Sequence, residues 1–228
     1  YCRLRDLNPA PFAAFLRFDD VEIVSASPER FLSMRGNRVE TCPIKGTRPR
    51  GRTVEEDRAL ADELLASEKD RAENVMIVDL LRNDPSRVCR DRSIDVPRLC
   101  ELESFATVHH LVSTIVGELR PDLTAVDLLA ACFPGGSITG APKIRAMEII
   151  AELEPTRRGP YCGSIGYIGF DGGMDTSIVI RTYAIRNGCV TFQAGGGIVA
   201  DSTPAGEYAE TLAKARALIA ALSPSEPS

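Results

Sequence analysis

A lysine stands among arginines in the segment PIKGTRPRG, in which Lys45 is followed by Arg48, Arg50 and Arg52. Neighbouring cations favour the uncharged form of a lysine, and an uncharged amine is a nucleophile. Lys45 is therefore a candidate for covalent catalysis. A solvated basic loop, between the end of a strand and a glycine turn, is the alternative interpretation of the same residues.

A glutamate precedes this lysine by sixteen residues, in the segment SASPERF. A half-buried carboxyl group at Glu29 could donate a proton to a leaving group, and a pair with Arg30 is the alternative. Two adjacent histidines, His109 and His110, lie in a predicted strand and therefore face opposite sides of it. At most one of them is expected to line a site.

Two predicted helices each carry two acids three residues apart, and such acids share one helix face. The pairs are Asp70 with Glu73, and Glu207 with Glu210. Carboxylates from two helices could hold Mg²⁺, which takes one or two of them together with water and substrate oxygens. The alternative is two solvated helix faces, with Glu210 and Lys214 forming a surface pair.

Three consecutive glycines, Gly195, Gly196 and Gly197, separate a predicted strand from the last predicted helix. Glycines let a chain approach a ligand and offer N–H groups to an anion, and a tight turn is the alternative. The spacing is not the G-x-G-x-x-G of a dinucleotide site. The segment from Gly135 to Lys143 is not a P-loop, because Ala-Pro precedes the lysine.

Strands are predicted at both ends of the chain, from period-two alternation and from turn signals. Three hairpins are expected: FAAFLRF with VEIVSAS, FLSMR with RVETC, and the strand before Asn187-Gly188 with CVTFQA. Asn-Gly is a strong hairpin signal. Further strands are predicted for FATVHHLVSTIVGEL and CGSIGYIGF, and DTSIVIRTYAI is predicted as one strand.

Helices are predicted from their capping residues. Thr53 with Glu56 is a capping box, and Ser67 with Asp70 is a similar signal. The predicted helices after the first are 68–81, 125–132, 142–152 and 204–222. Strands interspersed with helices in this order predict an α+β protein with a large antiparallel sheet.

The bulk composition, 44% hydrophobic and 26% charged, is that of an ordinary soluble protein. A net charge of −5 without a basic run argues against a nucleic-acid partner. No apolar run approaches the ~18 residues of a membrane span, and the first residues do not resemble a signal peptide. Seven irregularly spaced cysteines indicate reduced thiols in a cytoplasmic protein, without a zinc site or disulfide framework.

Taken together, eight segments in this order resemble the chorismate-binding enzyme family. They are SASPERF, PIKGTRPRG, AENVMIVDLLRND, VHHLVSTIVGEL, FPGGSITGAPKIRAMEII, RRGPYCGSIGYIGF, DTSIVIRTY and QAGGGIVADSTPAGEYAET. The resemblance implies a two-sheet antiparallel sandwich flanked by helices, like anthranilate synthase component I. Family members have more chain upstream, so the N-terminal part is expected to be missing. The expected catalytic domain is 1–222, with a disordered tail over 223–228.

The resemblance also implies Mg²⁺ as cofactor and a cleft that binds chorismate. Glu73 and Glu210 match the metal-binding glutamates, with Asp70 and Glu207 as supporting acids, and Glu29 matches the general acid for the 4-hydroxyl group. Eight further positions match residues of the substrate pocket: Thr47, His110, Ser137, Tyr167, Arg181, Gly195, Gly197 and Lys214.

Lys45 indicates a branch of the family. Anthranilate synthases usually have PIAGTR, whereas this chain has PIKGTR, as in the aminodeoxychorismate synthase branch. In that branch the lysine attacks C2 of chorismate and expels the C4 hydroxyl, and ammonia then enters at C4. No GxCxG segment is present, so the ammonia is expected from a glutamine amidotransferase subunit or domain.

Two alternatives to this function stay open. Anthranilate synthase component I or isochorismate synthase fits the same resemblance. A non-catalytic fragment that binds chorismate or a protein partner is the alternative of a different class.

Overall fold

The computed structural model describes residues 1–105 and 108–223. Within these residues there are six α-helices: α1 (Cys2–Leu7), α2 (Val54–Ala66), α3 (Glu68–Ser86), α4 (Ala125–Cys132), α5 (Lys143–Leu153) and α6 (Pro204–Leu222). A short 3-10 helix spans Gly136–Ile138. The described strands are β1 (Phe12–Arg17), β2 (Glu22–Ser27), β3 (Arg30–Arg35), β4 (Arg38–Cys42), β5 (Ile44–Pro49), β6 (Asp95–Ser104), β7 (Val108–Glu118), β8 (Ser164–Ile168), β9 (Met174–Ile178), β10 (Thr182–Arg186) and β11 (Cys189–Phe192).

The chain divides into two compact units, and the first contains residues 1–29, 154–165 and those from 177 onward. Its sheet has the strand order β1-β2-β10-β11, with antiparallel pairs throughout. Its core includes Leu4 of α1, Val24 of β2, Tyr183 of β10 and Leu218 of α6, all buried. The Tyr183 hydroxyl also donates a hydrogen bond to the Leu218 carbonyl. Burial of these side chains therefore fixes both helices on one sheet.

The second unit contains residues 30–153 and 166–176. Most of its sheet follows the order β5-β7-β4-β3-β9-β8, and β6 also pairs with β7. Helix α3 packs Ile77, Val78 and Leu81 against Ile115 of β7, and all four side chains are buried. The apolar face of α3 thus holds the acids near its beginning beside the strands that carry the lysine and histidines.

Strands β4 and β5 run one after the other along the same edge of β7, separated only by Pro43. The pairing register is unbroken from Val39–Gly117 to Lys45–Leu111 and shifts by one residue before Thr47–His110. A β-bulge of this kind bends the strand and redirects its side chains. Lys45 lies directly before that bulge.

The three predicted hairpins are confirmed by their antiparallel pairing. Asn187 and Gly188 have φ values of 52° and 74°, the left-handed geometry that a two-residue turn of this type needs. The helix predicted over 125–132 is confirmed as α4, and the last helix as α6. Local turn and capping signals were therefore sufficient for these elements.

Other elements differ from the predictions. The segment around Lys45 was not predicted as a strand, and it forms β5. DTSIVIRTYAI forms two strands, because Arg181 has a left-handed φ of 53° and ends the extended run between β9 and β10. Helix α3 continues beyond Leu81 to Ser86, with Pro85 in its last turn. Helix α1 and strand β6 were not predicted.

Ser223 caps the end of α6, and the rest of the tail predicted to be disordered lies outside the described residues. The seven cysteines are free thiols. Across 1–105 and 108–223, no helix combines the length and apolar character needed to cross a membrane.

Candidate functional site

The lysine strand meets the first acid of α3 at the β-bulge. Lys45 is half-buried and pairs with Leu111, and the following Gly46 has a φ of 82°. A Cβ atom on Gly46 would lie 3.0 Å from the Cβ of Asp70 and 3.0 Å from the Cδ1 of Leu64. Glycine is therefore required here by both backbone geometry and space, and it lets β5 pass closely over α3.

Two of the arginines that follow Lys45, Arg48 and Arg50, are paired with helical acids. Arg48 donates from Nε to Glu63 at 2.7 Å and from its terminal nitrogen to Asp70 at 3.2 Å. Arg50 donates two hydrogen bonds of 2.7 Å to Asp57. These acids offset the positive charge of both guanidinium groups, so neither Arg48 nor Arg50 stands near Lys45 as an unpaired cation.

Thr47 and His110 face each other across β5 and β7, with 2.9 Å between the threonine Oγ1 and the histidine Nδ1. His109 lies on the opposite side of β7, where its Nε2 is 3.0 Å from Asp57. Both histidines are buried. The two histidines therefore have different surroundings. His110 lies next to Thr47 on the strand that carries Lys45, whereas His109 is held by Asp57 of α2.

The acids predicted on α3 lie in its first two turns. The side chain of Asp70 is 18% exposed and that of Glu73 is 25% exposed. The Nζ atom of Lys69 lies 3.9 Å from Glu73 Oε1. The rotation of the helix is fixed by Asn74, which is fully buried and donates to the Leu111 carbonyl at 3.1 Å. Asn74 therefore orients this acidic face relative to β7, a role that sequence analysis did not identify.

Two predicted pocket residues lie elsewhere in the second unit. Ser137 is in the short 3-10 helix, which packs against α3. Tyr167 is 67% exposed on β8, and it lines a groove with Ser33 and Asp171. In the strand order β8 is three strands from the β4–β5 edge, about 14 Å at the usual strand spacing. Tyr167 is thus not brought beside Lys45.

Glu29 is buried directly after β2 in the first unit, with 8% of its surface exposed. Its N–H donates to Ser27 Oγ at 3.3 Å, and its carbonyl accepts from the Ile178 N–H at 3.1 Å. The backbone at Glu29 is therefore held firmly. In the second unit, the guanidinium of Arg30, its proposed alternative partner, donates to Asp175 at 3.1 and 3.2 Å.

Arg181 lies in the bend between β9 and β10. Burial lowers the pKa of its guanidinium, while the charges of Glu29 and Glu210 act in the opposite direction. Such effects require the charges to be near one another. The first unit therefore brings the predicted general acid, one predicted metal ligand and a predicted carboxylate-binding arginine into one electrostatic neighbourhood.

The glycine loop lies over the acids of α6. A Cβ atom on Gly196 would lie 2.9 Å from Glu207 Oε2 and 3.4 Å from Glu210 Oε1. Lys214 Nζ donates to the Gly195 carbonyl at 3.1 Å and also pairs with Glu210. The pair between Glu210 and Lys214 foreseen as an alternative is thus present, and it also ties the helix to the loop.

One carboxylate oxygen in this loop–helix contact is buried without a donor. Glu207 Oε1 accepts from Ser202 Oγ at 2.6 Å, whereas no described residue donates to Glu207 Oε2. Leaving such an oxygen unsatisfied costs free energy, and a bound cation would remove that cost. The donor chemistry of Glu207 and Glu210 therefore fits Mg²⁺.

Within residues 1–105 and 108–223, no cluster of three or more histidine, cysteine or acidic side chains is arranged to hold a metal ion. Mg²⁺ does not need such a cluster, because it binds one or two carboxylates and completes its shell with water and substrate oxygens. The metal-ligand roles of Glu73 and Glu210 stay predictions.

Two further residues of the first unit were missed by sequence analysis. Tyr161 places its hydroxyl 3.5 Å from where a Cβ of Gly195 would be, and burial raises the pKa of its phenol. Ser202 fixes one oxygen of Glu207. Neither residue has a spacing signal in the sequence, because their contacts are made by loops.

The two antiparallel sheets with their helices, and the order of the segments that carry the lysine, the acids and the glycine loop, define the class of protein. The chain belongs to the chorismate-binding enzyme family, and the family profile described as "chorismate binding enzyme" matches residues 1–220.

Relatives of two kinds are similar to this chain. Aminodeoxychorismate synthase component 1 of Salmonella typhimurium is 56% identical over 217 residues, which cover 95% of this chain and 48% of that protein. Anthranilate synthase component 1 of Geobacillus stearothermophilus is 51% identical over 226 residues, covering 99% of this chain and 44% of that protein.

The crystal structure of anthranilate synthase component I from Streptococcus pneumoniae TIGR4 is similar in fold. It matches with a TM-score of 0.84 and 46% identity, and the match covers 93% of this chain and 47% of that one. The chain therefore spans about half the length of the relatives that it matches.

Proposed function

We propose that the intact protein converts chorismate and ammonia to 4-amino-4-deoxychorismate. The observation that carries the proposal is Lys45, an amine that is half-buried at a β-bulge against the acidic helix α3, with Thr47 and His110 paired next to it. A lysine on a rigid strand suits covalent catalysis better than a lysine on a solvated loop, because its approach to a substrate is fixed.

The reaction proceeds in two displacements. The uncharged Lys45 amine forms a bond to C2 of chorismate, the ring double bonds shift, and the C4–oxygen bond breaks. Glu29 gives a proton to the departing hydroxyl group, which leaves as water. Ammonia then forms a bond to C4 as the lysine–C2 bond breaks, and the proton released from the new amine returns to the carboxylate of Glu29.

Mg²⁺ is proposed to bind Glu73 and Glu210, with Asp70 and Glu207 as supporting acids. When bound, the cation supplies positive charge for the ring carboxylate of the substrate. The buried, donor-free oxygen of Glu207 supports a cation at this end of α6. The position of Asp70 beside the lysine strand supports a role for its helix in the same chemistry.

The substrate is a dianion, so its pocket needs cations and N–H donors. The half-buried guanidinium of Arg181 and the N–H groups of the glycine loop supply both in the first unit. The proposed substrate-binding residues are Thr47, His110, Ser137, Tyr167, Arg181, Gly195, Gly197 and Lys214. Tyr167 is the weakest of them, because it is largely exposed on a strand distant from β5.

The proposed partner is a glutamine amidotransferase that supplies ammonia, as the name "component 1" of the relatives suggests. The product would serve the synthesis of 4-aminobenzoate and folate in the cytoplasm. Ammonium salts replace the partner in an assay, since free ammonia is the proposed nucleophile.

A product assay tests the proposal. The intact protein is incubated with chorismate, ammonium and Mg²⁺, and a lyase that converts aminodeoxychorismate to 4-aminobenzoate is added. The expected product is 4-aminobenzoate, formed only when the lyase is present. Anthranilate as the product, with or without the lyase, would contradict the proposed branch.

Anthranilate synthase is the second candidate, because a relative with that name is 51% identical over almost the whole chain. Lys45 favours amination at C4 over this alternative. A non-catalytic role would be indicated by Mg²⁺-dependent binding of chorismate in calorimetry with no turnover to either product.

A further inference from the structure

A buried carboxylate on α3 joins the two ends of one loop in the second unit. Lys143, the first residue of α5, donates from Nζ to Asp84 Oδ2 at 2.6 Å and to the Cys132 carbonyl at 3.0 Å. Cys132 ends α4, so the loop 133–142 starts and finishes at the same ammonium group. The Asp84 side chain is 6% exposed and that of Lys143 is 16% exposed.

The second oxygen of Asp84 is also engaged. Arg87 donates to Asp84 Oδ1 at 3.0 Å and to the carbonyl of Ala131. The last turn of α4 has no basic residue of its own, so Arg87 and Lys143 satisfy carbonyl groups that the helix end leaves open. We name Asp84, Arg87 and Lys143 the Asp84 clasp.

Between its two fixed ends, the loop 133–142 is pressed onto α3. A Cβ atom on Gly136 would lie 2.8 Å from Leu80 Cγ and 3.2 Å from Leu81 Cδ2. Inside the loop, Thr139 Oγ1 donates to the Gly135 carbonyl at 2.9 Å. Ser137, the proposed substrate-binding residue, lies in the short 3-10 helix between these contacts.

We propose that the Asp84 clasp positions Ser137 for chorismate, by locking the loop 133–142 onto the helix that carries Asp70 and Glu73. The inference rests on the proposed function. Asp84 is eleven residues beyond Glu73, or about 16 Å along the helix axis. The clasp residues are therefore positioning residues that act through the loop, and they do not touch the reacting atoms.

Stability alone does not account for these charges. A buried ion pair contributes little net free energy relative to an apolar pair of similar volume, whereas removal of one partner leaves a costly lone charge. What the ion pair adds is direction, because the ammonium group must meet one carboxylate and one carbonyl at once. That requirement sets where both ends of the loop lie.

The test uses the intact protein with Mg²⁺, ammonium and varied chorismate. The double variant K143M/D84N removes both charges and leaves no lone lysine or aspartate charge buried. We expect its KM for chorismate to rise about tenfold with kcat within about threefold of the parent. Arg145→Met is the matched control on the same helix, since Arg145 is 56% exposed in surface pairs.

Two further variants give a readout that a merely structural role would not produce. Lys143→Arg keeps a cation at position 143, so its KM for chorismate is expected to stay much closer to that of the parent than the KM of K143M/D84N does. Ser137→Ala is expected to raise KM for chorismate by about as much as K143M/D84N does. The combination of Ser137→Ala with K143M/D84N is expected to raise KM no further, because both changes act on the contact between Ser137 and chorismate. Melting temperatures establish that each variant is folded.

The proposal is overturned if KM in K143M/D84N equals that of Arg145→Met, if only kcat falls, or if the Ser137 and clasp effects simply add. Should the double variant fail to fold, Asp84→Asn alone decides, with an intermediate rise in KM expected and an unchanged KM contradicting the proposal. Anthranilate as the product would refute the proposed amination while leaving these KM comparisons valid.

Discussion

The guanidinium group of Arg48 on β5 donates to the carboxylate of Asp70 on α3 at 3.2 Å, and a second of its nitrogens donates to Glu63 on α2. Three elements are thereby joined by one side chain, three residues beyond Lys45. The arrangement ties the strand of the proposed nucleophile to the helix of the proposed metal ligand.

Replacing the proposed nucleophile is the most direct test of the mechanism. We expect Lys45→Ala to lower the rate of aminodeoxychorismate formation by about 10²-fold or more, because the covalent route is lost. The coupled 4-aminobenzoate assay measures the rate. Arg58→Ala, at a largely exposed cation on α2, serves as control. A rate close to that of the parent in Lys45→Ala would rule out covalent catalysis by this residue.

Arg48→Met should loosen the junction of β5 with α2 and α3. The two ion pairs are partly exposed, so we expect a loss of about 1–2 kcal/mol in the free energy of unfolding, together with a lower kcat. Arg58→Met removes a largely exposed ion pair on α2 and is expected to change stability by less than about 0.5 kcal/mol. Denaturant unfolding compares the two, and equal losses would disprove the special role of Arg48.

Glu207→Gln should weaken magnesium binding. Its buried Oε2 has no donor among the described residues, and an amide oxygen or nitrogen there supplies no negative charge for a cation. We expect the Mg²⁺ concentration for half-maximal activity to rise roughly 10–100-fold. Thermal stabilisation by added Mg²⁺ gives a readout that is independent of turnover. Ser202→Ala, which removes only the hydrogen bond to Oε1, should have a smaller effect.

Stability at acid pH should depend on Asp57. The Arg50 guanidinium, followed by the Gly51 N–H and His109, holds the pKa of this carboxyl well below its usual range. The stability that Asp57 contributes is therefore present above the unfolded-state pKa of about 3.9 and is lost as the pH falls.

The melting temperatures of Asp57→Asn and the parent should accordingly differ most between about pH 5 and pH 7, and the difference should begin to shrink as the pH falls below about 4. Asp62→Asn, at an exposed site on the same helix, controls for general charge effects. A difference that stays constant down to pH 3 would mean that the ionised form of Asp57 is not the source of the stability.

The core of the first unit offers a matched pair of neighbours on α6. Leu218 is fully buried against Tyr183, whereas Ile219 is 50% exposed. Leu218→Ala should reduce the free energy of unfolding by about 2–5 kcal/mol through lost burial and a residual cavity. Ile219→Ala should cost less than about 1 kcal/mol. Similar losses at both positions would show that α6 is not packed on the sheet as described.

The elements that sequence predicted correctly have short-range causes. Asn187-Gly188 can adopt the left-handed turn that joins two strands, and Thr124 donates from its N–H and its hydroxyl to Asp127 at the start of α4. Such signals involve residues within a few positions of one another. The helices and hairpins that present the candidate site were therefore predictable.

The errors have long-range causes. Strand β5 was not predicted, because its extended form is stabilised by pairing with β7, roughly 60–70 residues away. The pairing of Arg48 with Asp70, 22 residues apart, and of Asp84 with Lys143, 59 residues apart, depends on how helices pack and was not predicted either. The residue types at the candidate site were visible in the sequence, whereas their partners required three-dimensional contacts.

The pairing of β5 and its close approach to α3 do not depend on the side chain at position 45. The sheet recognises this strand through main-chain groups, and the close approach to α3 is made by Gly46. An exchange of the side chain next to that glycine would alter reactivity while leaving the scaffold intact. New chemistry could thus arise by substitution on an inherited framework, without any redesign of the fold.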